Sequence, residues 1–195
     1  RLEFVLGAHG PGVDAADLQR RATALPGPAR VVAIDGARTL GQALQDCCDR
    51  AEGSLLTKMD DDDHYGPEHI WDLVLAREYS GAQIVGKALD WVHLAQKGVT
   101  VFRPTYAAEK YADFVAGGTI LVSRADLAAV GGWRPVPKSV DRALLDRVLG
   151  AGGLVYRTHG LGYVYVRHGA GHTATVSDEH FLTKTAAQYP GLVTP

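Results

Sequence analysis

Hydrophobic and polar positions along the first half of the chain predict short strands that alternate with helices. Apolar, β-branched runs that have the length and composition of strands lie at 2–6, 30–34, 55–59 and 83–87. Apolar residues at helical spacing lie between them, at 14–25, at 39–51 and after 66–67, and the third helix is predicted to bury Ile70, Trp71, Val74 and Leu75. The order predicts an α/β fold with a mostly parallel sheet flanked by helices, in a single domain covering residues 1–195.

The second half of the chain has weaker patterns. Residues 88–102 alternate weakly, which indicates one or two strands. Residues 103–116 are polar and aromatic without a clear period, which is typical of a functional loop. Further strands are predicted at 119–123, 154–156 and 163–167, and helices at 124–130, 141–149 and 178–188.

Composition and charge exclude some classes of function. The net charge is -2 and the chain has no long basic block, so we do not expect nucleic acid as a partner, because phosphate binding needs clustered Lys and Arg. No apolar run reaches the roughly 18 residues of a membrane span. We therefore expect a cytoplasmic protein, with membrane association open through a membrane-bound acceptor. Cys47 and Cys48 are adjacent and are expected to be neutral thiols in a reducing compartment.

Four consecutive aspartates, Asp60 to Asp63, follow the strand predicted at 55–59. Adjacent carboxylates repel one another, so the cluster costs stability unless a positive charge lies on it. The preceding strand would place them at a carboxyl end of the sheet, where open α/β sheets bind ligands. Asp60 and Asp62 point to the same side of an extended segment, where one divalent cation could bind them and still accept phosphate oxygens. The alternative is a solvated acidic turn that interacts with the dipole of the following helix.

The acidic residues and their surroundings resemble a known family. Met59-Asp60-Asp61-Asp62-Asp63, followed by Tyr65-Gly66-Pro67, looks like the DxD region of family-2-type glycosyltransferases with the GT-A fold. Further segments that resemble this family occur in its order, at 2–10, 39–43, 116–119 and 140–147. The resemblance implies a GT-A-like, Rossmann-like sheet. It also implies a metal-dependent enzyme of polysaccharide biosynthesis that transfers a sugar from a nucleotide-sugar donor to an acceptor hydroxyl with inversion.

Roles for single residues follow from this resemblance. Asp60 and Asp62 match the outer positions of DxD, which contact the nucleotide sugar and its Mn²⁺ or Mg²⁺, with Asp62 the more direct metal ligand. Asp141 matches the aspartate that deprotonates the acceptor hydroxyl. From the residues alone, a charge at a helix N-terminus beside a Ser139 cap is the preferred interpretation of Asp141. The residues predicted to bind the donor are Asp60, Asp61, His9, Lys58 and Gly118.

Several other polar residues have two possible interpretations. His168 follows a predicted strand and resembles the late histidine that completes the metal site or touches the diphosphate in GT-A enzymes, with His172 as second choice. For both, an exposed loop histidine is the alternative. Lys58 could bind phosphate, but a salt bridge with the aspartates is the simpler expectation. Four residues of the irregular segment could bind the acceptor, by position and residue type only: Arg103, Tyr106, Lys110 and Tyr111.

The sequence departs from the family at its beginning. The family usually has a strand and a helix before the segment at 2–10, so we expect a longer protein or a further segment or chain that completes the sheet. His9 stands where the family often has an Asp that binds the base, so UDP-, GDP- and dTDP-sugars all remain candidate donors. The acceptor would be a glycan, a lipid-linked molecule or a small molecule.

Two other functions stay open. One is a non-catalytic module that binds nucleotide sugars or glycans on the same fold. The other is a sugar nucleotidyltransferase, which would need a glycine-rich, basic phosphate loop on its first strand, and the sequence at Leu2 to Gly10 has no such loop.

Overall fold

A computed structural model describes residues 1–10, 12–169 and 176–195. The strands are β1 (Phe4–Ala8), β2 (Ala29–Ala33), β3 (Leu55–Thr57), β4 (His64–Tyr65), β5 (Ile84–Lys87), β6 (Trp91–Leu94), β7 (Val99–Phe102), β8 (Lys110–Tyr111), β9 (Leu121–Ser123), β10 (Val155–Thr158), β11 (Tyr163–Arg167) and β12 (Ala187–Pro190). The helices are α1 (Ala15–Ala22), α2 (Leu40–Arg50), α3 (His69–Ser80), α4 (Arg124–Ala129), α5 (Val140–Gly150) and α6 (Asp178–Leu182). The predicted α/β class is confirmed.

The chain forms two compact units. Unit 1 comprises Arg1–Leu56 and Ser123–Leu144, and unit 2 comprises Thr57–Val122 and Leu145–Pro195. In unit 1, β1 and β2 pair in parallel, with Phe4 opposite Ala29. Parallel pairing needs a crossover, which α1 supplies between the two strands.

Helix α2 of unit 1 begins where the sequence predicts. Thr39 and Gln42 form a capping box, in which each side chain satisfies a backbone N–H of the other residue. Gly41 then permits a close approach, since a Cβ at this position would lie 1.6 Å from the carbonyl oxygen of Arg134. Cys47 and Cys48 are free thiols. Burial raises the pKa of Cys47 to about 11, so this thiol is neutral, as predicted.

The sheets are mixed, whereas the sequence predicts a mostly parallel one. One sheet has the strand order β3-β9-β5-β10-β8 and another has β12-β7-β6-β11-β4. Strand β5 pairs in parallel with β10, and β6 with β11. Strands β4, β7, β8, β9 and β12 make antiparallel pairs. The β6–β7 connection shows the reason, because a single short turn at Ala95–Lys97 joins these strands and only antiparallel strands can be joined so tightly.

Helix α3 buries a different face from the one predicted. Its buried residues are His69, Leu73 and Ala76, at the i, i+4 and i+7 positions. Trp71 and Leu75 are 58% and 43% exposed. Apolar residues occur all around this helix, so the helical period is visible in the sequence but the face that packs is not.

The C-terminal part of the chain also differs from the prediction. Helix α6 ends at Leu182, and the last two residues of the predicted helix, 187–188, lie in strand β12, with Ala187 opposite Phe102 of β7. Behind this pairing, Val92, Leu94, Val101 and Phe181 form a core cluster. Tertiary pairing therefore overrides the helical pattern at the end of the segment. No helix in the described ranges has both the length and the apolar character to cross a membrane.

Candidate active site

The acidic segment, Asp60–Asp63, lies between β3 and β4 in unit 2. The Nζ atom of Lys58 makes a salt bridge with Oδ1 of Asp60, and the Lys58 side chain is only 8% exposed. The Lys58 backbone is also fixed, since its N–H donates to the carbonyl oxygen of Ile120 at 2.9 Å. The predicted salt bridge is confirmed, and it neutralises the first carboxylate of the segment.

Asp63, at the other end of the segment, is held by strand β11. The Tyr163 hydroxyl donates to Oδ2 of Asp63 at 2.7 Å, and the Val166 N–H donates to Oδ1 at 2.9 Å. Burial raises the pKa of Asp63 to about 6, although both hydrogen bonds favour the ionised form. The resemblance assigns no role to Asp63, whereas the structure ties it to strand β11.

Tyr65 and Gly118 complete the contacts around the segment. The N–H of Asp60 donates to the Tyr65 hydroxyl at 2.8 Å, and this hydroxyl donates to the Gly118 carbonyl oxygen at 2.9 Å. A Cβ at Gly118 would lie 2.8 Å from Oδ2 of Asp63, 3.0 Å from Oδ2 of Asp60 and 3.0 Å from the Tyr65 hydroxyl. Gly118, predicted to bind the donor, therefore allows its turn to pack against three oxygens of the site.

Asp61 and Asp62 are exposed to solvent. Among the residues that the structure describes, no group of three or more His, Cys, Asp or Glu side chains is arranged to hold a metal ion. Mg²⁺ sites commonly use only one or two carboxylates and complete their coordination with phosphate oxygens and water. The oxygen donors of Asp60 and Asp62 fit such a cation chemically.

His168 is exposed and follows β11 directly. Its carbonyl oxygen accepts a hydrogen bond from Nε2 of Gln96 at 3.4 Å. The structure does not gather His168 with Asp60 and Asp62 into a three-ligand group. His172 lies outside the described residues.

His69 packs against Tyr65, whose hydroxyl accepts a hydrogen bond from the backbone of Asp60. The His69 side chain is 1% exposed, and its ring meets the Tyr65 ring edge-on, with 4.7 Å between the ring centroids. Burial lowers the pKa of His69 to about 4, and the positive charge of Lys87 acts in the same direction. Neither ring nitrogen has a hydrogen-bond partner in the described residues. A neutral imidazole thus packs against an aromatic residue that contacts the acidic segment.

His9 and Asp141 belong to unit 1. His9 follows β1, and its Nε2 lies 2.8 Å from the carbonyl oxygen of Arg38. A carbonyl only accepts, so Nε2 donates in this contact. Asp141 is half-buried in the first turn of α5.

The irregular segment, residues 103–116, contains both buried and exposed polar residues. Arg103 is 5% exposed, its Nε donates to the Thr183 carbonyl oxygen at 3.0 Å, and its guanidinium lies 5.3 Å from the Phe181 ring centroid. The acceptor-binding role predicted for Arg103 is therefore wrong, because its charge is used inside the fold. The three other residues predicted to bind the acceptor are exposed: Tyr106, Lys110 and Tyr111.

Glu109 holds the irregular segment to its neighbours. Its Oε1 accepts from the Thr158 hydroxyl at 2.7 Å and from the His159 N–H at 2.9 Å. Its Oε2 accepts from the hydroxyls of Tyr79 at 2.7 Å and Tyr156 at 3.2 Å. Burial raises the pKa of Glu109, but these hydrogen bonds outweigh burial and leave the pKa below its ordinary value.

Sequence reasoning missed Tyr163 as a partner of the acidic segment and Glu109 as an anchor. Tyr163 and Asp63 are 100 positions apart in the sequence, so no local pattern connects them. The alternation of β11 identifies a strand, and a tyrosine on a strand is ordinary core composition.

Comparison with known proteins identifies the fold. No protein-family model matches the chain, and neither does any curated protein. Among solved structures, S. aureus TarS 1–349 in complex with UDP-GlcNAc matches with a TM-score of 0.62 and 11% identity, over 92% of this chain and 63% of that chain. The fold is GT-A-like.

A second structure, of GalNAc-T7 with UDP, GalNAc and Mn²⁺, matches with a TM-score of 0.61 and 14% identity, over 77% of this chain. Both neighbours are GT-A-type glycosyltransferases. Their low identities establish a shared fold alone. The chain spans less than two thirds of each neighbour, 63% of the TarS chain and 35% of the GalNAc-T7 chain.

Proposed function

We propose that the protein is a metal-dependent glycosyltransferase, which transfers a sugar from a nucleotide-sugar donor to an acceptor hydroxyl with inversion. One observation carries this proposal: on a GT-A-like fold, an acidic segment is held at both ends and exposes Asp61 and Asp62 between them. The two neighbours support it, because one is in complex with UDP-GlcNAc and the other with UDP, GalNAc and Mn²⁺.

The carboxylates of the acidic segment have different contacts, and we therefore assign them different roles. Asp60 already has Lys58 on one oxygen and packs its other oxygen toward Gly118. Asp62, exposed like Asp61, would be the more direct ligand of the cation, with Asp60 completing the pair of ligands. Mn²⁺ or Mg²⁺ bound there would neutralise the charge of the departing diphosphate. Asp61 and Lys58 would fix the donor beside it.

Two further roles follow from the resemblance of the sequence to the glycosyltransferase family. Asp141 would take the proton of the acceptor hydroxyl, a role that suits a half-buried carboxylate at a helix start. His9 would contact the base of the nucleotide. Since its Nε2 donates to Arg38, Nδ1 of a neutral ring can accept from a ring N–H of the base; uracil, thymine and guanine each have one, so UDP-, dTDP- and GDP-sugars all fit this contact.

A thermal-shift experiment with UDP-, GDP- and dTDP-sugars, each with and without Mn²⁺, tests the proposal. A ligand that binds only the folded state raises the melting temperature. We expect a shift that needs both Mn²⁺ and a nucleotide sugar, and we expect Asp62→Ala to abolish the Mn²⁺-dependent part. Asp17→Ala is the control, since Asp17 forms only a surface pair with Arg20. The proposal fails if no nucleotide sugar changes the melting temperature, or if Asp62→Ala responds as wild type does.

A non-catalytic nucleotide-sugar-binding module is the second candidate. The salt bridge between Lys58 and Asp60 favours it, because that carboxylate already has a positive partner. Donor hydrolysis distinguishes the two functions. Binding of the donor without any hydrolysis or transfer supports the module, whereas turnover that Asp141→Asn abolishes supports the transferase.

A further inference from the structure

We propose that Asp63 is a positioning residue, which fixes the acidic segment against β11 so that Asp60 and Asp62 present their oxygens in one geometry to a metal–diphosphate. The consequence for the metal rests on the proposed function, whereas the attachment of the segment does not. Asp63 lies outside the DxD positions that the resemblance assigns.

The first support for this role is that both ends of the segment are attached to the same pair of strands. Strands β4 and β11 pair with Tyr65 opposite Tyr163, and the two tyrosine rings lie 5.5 Å apart. Tyr163 donates to the carboxylate of Asp63, and Tyr65 accepts from the backbone of Asp60. Two neighbouring hydroxyl groups therefore fix the two ends of a four-residue loop.

The second support is that the loop has little freedom between these ends. The N–H of Asp63 lies 3.4 Å from the carbonyl oxygen of Asp60, which closes the loop into a turn. Val166 adds a backbone donor to Asp63, and Gly118 packs against oxygens of both Asp60 and Asp63. Removal of the Asp63 carboxylate would release one end and open the turn.

The third support is the difference in accessibility within the segment. Tyr163 is 2% exposed, and Asp63, whose carboxylate it contacts, is half-buried. Asp61 and Asp62 are exposed. Both carboxylate oxygens of Asp63 thus accept hydrogen bonds from the protein, whereas the exposed carboxylate of Asp62 can bind a ligand. Side chains that orient metal ligands typically change metal affinity or activity by about 10- to 100-fold when removed.

The experiment compares wild type with Asp63→Ala, Asp63→Asn and Tyr163→Phe. It titrates Mn²⁺ in the presence of UDP, titrates UDP without metal, and measures hydrogen exchange at the Val166 and Asp60 amides. Asn keeps an acceptor for Val166 and an amide that can donate to the Tyr163 hydroxyl, so it retains the attachment without the charge. Tyr165→Phe is the matched control on the same strand, because the Tyr165 hydroxyl accepts from Arg167.

We expect Asp63→Ala to weaken the Mn²⁺ half-saturation by at least about tenfold, with Tyr163→Phe intermediate. Metal-free UDP binding should stay within twofold of wild type, and Asp63→Asn should recover most of the Mn²⁺ response. The Val166 and Asp60 amides should lose protection in Asp63→Ala and keep it in Tyr165→Phe. If Asp63 had only a structural role, Asp63→Ala would weaken metal-free UDP binding as much as Mn²⁺ binding and would also lower the melting temperature.

Two results would overturn the positioning role. One is unchanged exchange protection of Val166 and Asp60 in Asp63→Ala. The other is an Asn variant as defective toward Mn²⁺ as the Ala variant, since that result would make the charge of Asp63, and not its attachment, the important property. If wild type binds no Mn²⁺ and UDP at all, the proposed function fails, and hydrogen exchange alone then decides whether Asp63 holds the segment.

Discussion

The acidic segment and the irregular segment 103–116 both look like functional loops in the sequence, yet their polar residues are used differently. In the acidic segment, the end residues Asp60 and Asp63 are bonded and the middle residues are exposed. In the irregular segment, Arg103 is buried and Glu109 accepts four hydrogen bonds. In the acidic segment the carboxylates between the bonded ends stay exposed to solvent, whereas in the irregular segment the central carboxylate, Glu109, is bonded to the fold.

The two segments also differ in the titratable groups around them. At the acidic segment, a neutral, buried imidazole, His69, is in contact with Tyr65. At the irregular segment, tyrosine hydroxyls of α3 and β10 point to the carboxylate of Glu109. Acid should therefore affect the first region through protonation of Asp63, whose pKa is raised to about 6, and of the buried imidazole, and the second region only when a carboxylate with a low pKa is protonated.

The largest effect that we expect is acid destabilisation through His69. The folded state lowers its pKa from 6.5 to about 4, so the folded protein resists protonation that the unfolded chain accepts. Its contribution to stability is complete above about pH 6.5 and is lost as pH falls toward 4, where the loss reaches about 3 kcal/mol. Urea unfolding of wild type and His69→Phe between pH 7 and 4 measures it.

The measured quantity is the difference between these two proteins. Asp63 and Asp90 have buried carboxyls with pKa values raised to about 6, so they favour the folded state as pH falls through the same range. Both groups remain in His69→Phe, and their contributions cancel in the difference. A difference that stays constant from pH 7 to 4 would show that His69 is protonated equally in the folded and unfolded states.

Gly118 packs against the acidic segment, and Gly118→Ala is expected to cost about 2 kcal/mol in the free energy of unfolding, the typical cost of overpacking. The new Cβ would lie within 3.0 Å of Asp60, Asp63 and Tyr65 oxygens, so the acidic segment must move. Gly36→Ala is the control, because a Cβ there meets no atom within 4 Å. Equal stability of the two variants in urea would contradict the close packing at Gly118.

The sequence is sufficient to predict the α/β class and the position of the acidic segment. Both depend on local signals: apolar runs, the Thr39 cap of α2, and charge density after a strand. The resemblance of the motifs and their order to a known family implies the GT-A-like fold, and the structural neighbours confirm it. The salt bridge between Lys58 and Asp60 is also predictable from the sequence, because the two residues are two positions apart on an extended segment.

The rest depends on contacts between distant parts of the chain. The burial of Arg103 depends on Thr183 and Phe181, and the attachment of Asp63 depends on Tyr163. Strand β12 forms because β7 offers an edge, although its sequence continues a helical pattern. Residue type alone does not tell whether a charged side chain in a loop serves a ligand or the fold.

The smallest expected effect on stability is that of a substitution at Glu109. This substitution tests most directly whether the two segments act independently. Glu109→Gln replaces one carboxylate oxygen by an amide donor facing hydroxyl groups and should cost about 1 kcal/mol, reduced by the exposure of the group. Lys110→Gln, at the adjacent exposed position, should change stability by less than about 0.5 kcal/mol. Urea unfolding measures both variants, and a Mn²⁺ titration with UDP should give wild-type half-saturation for each. Weaker Mn²⁺ binding in Glu109→Gln would mean that the irregular segment supports the acidic one, and the two regions would then act as a single site.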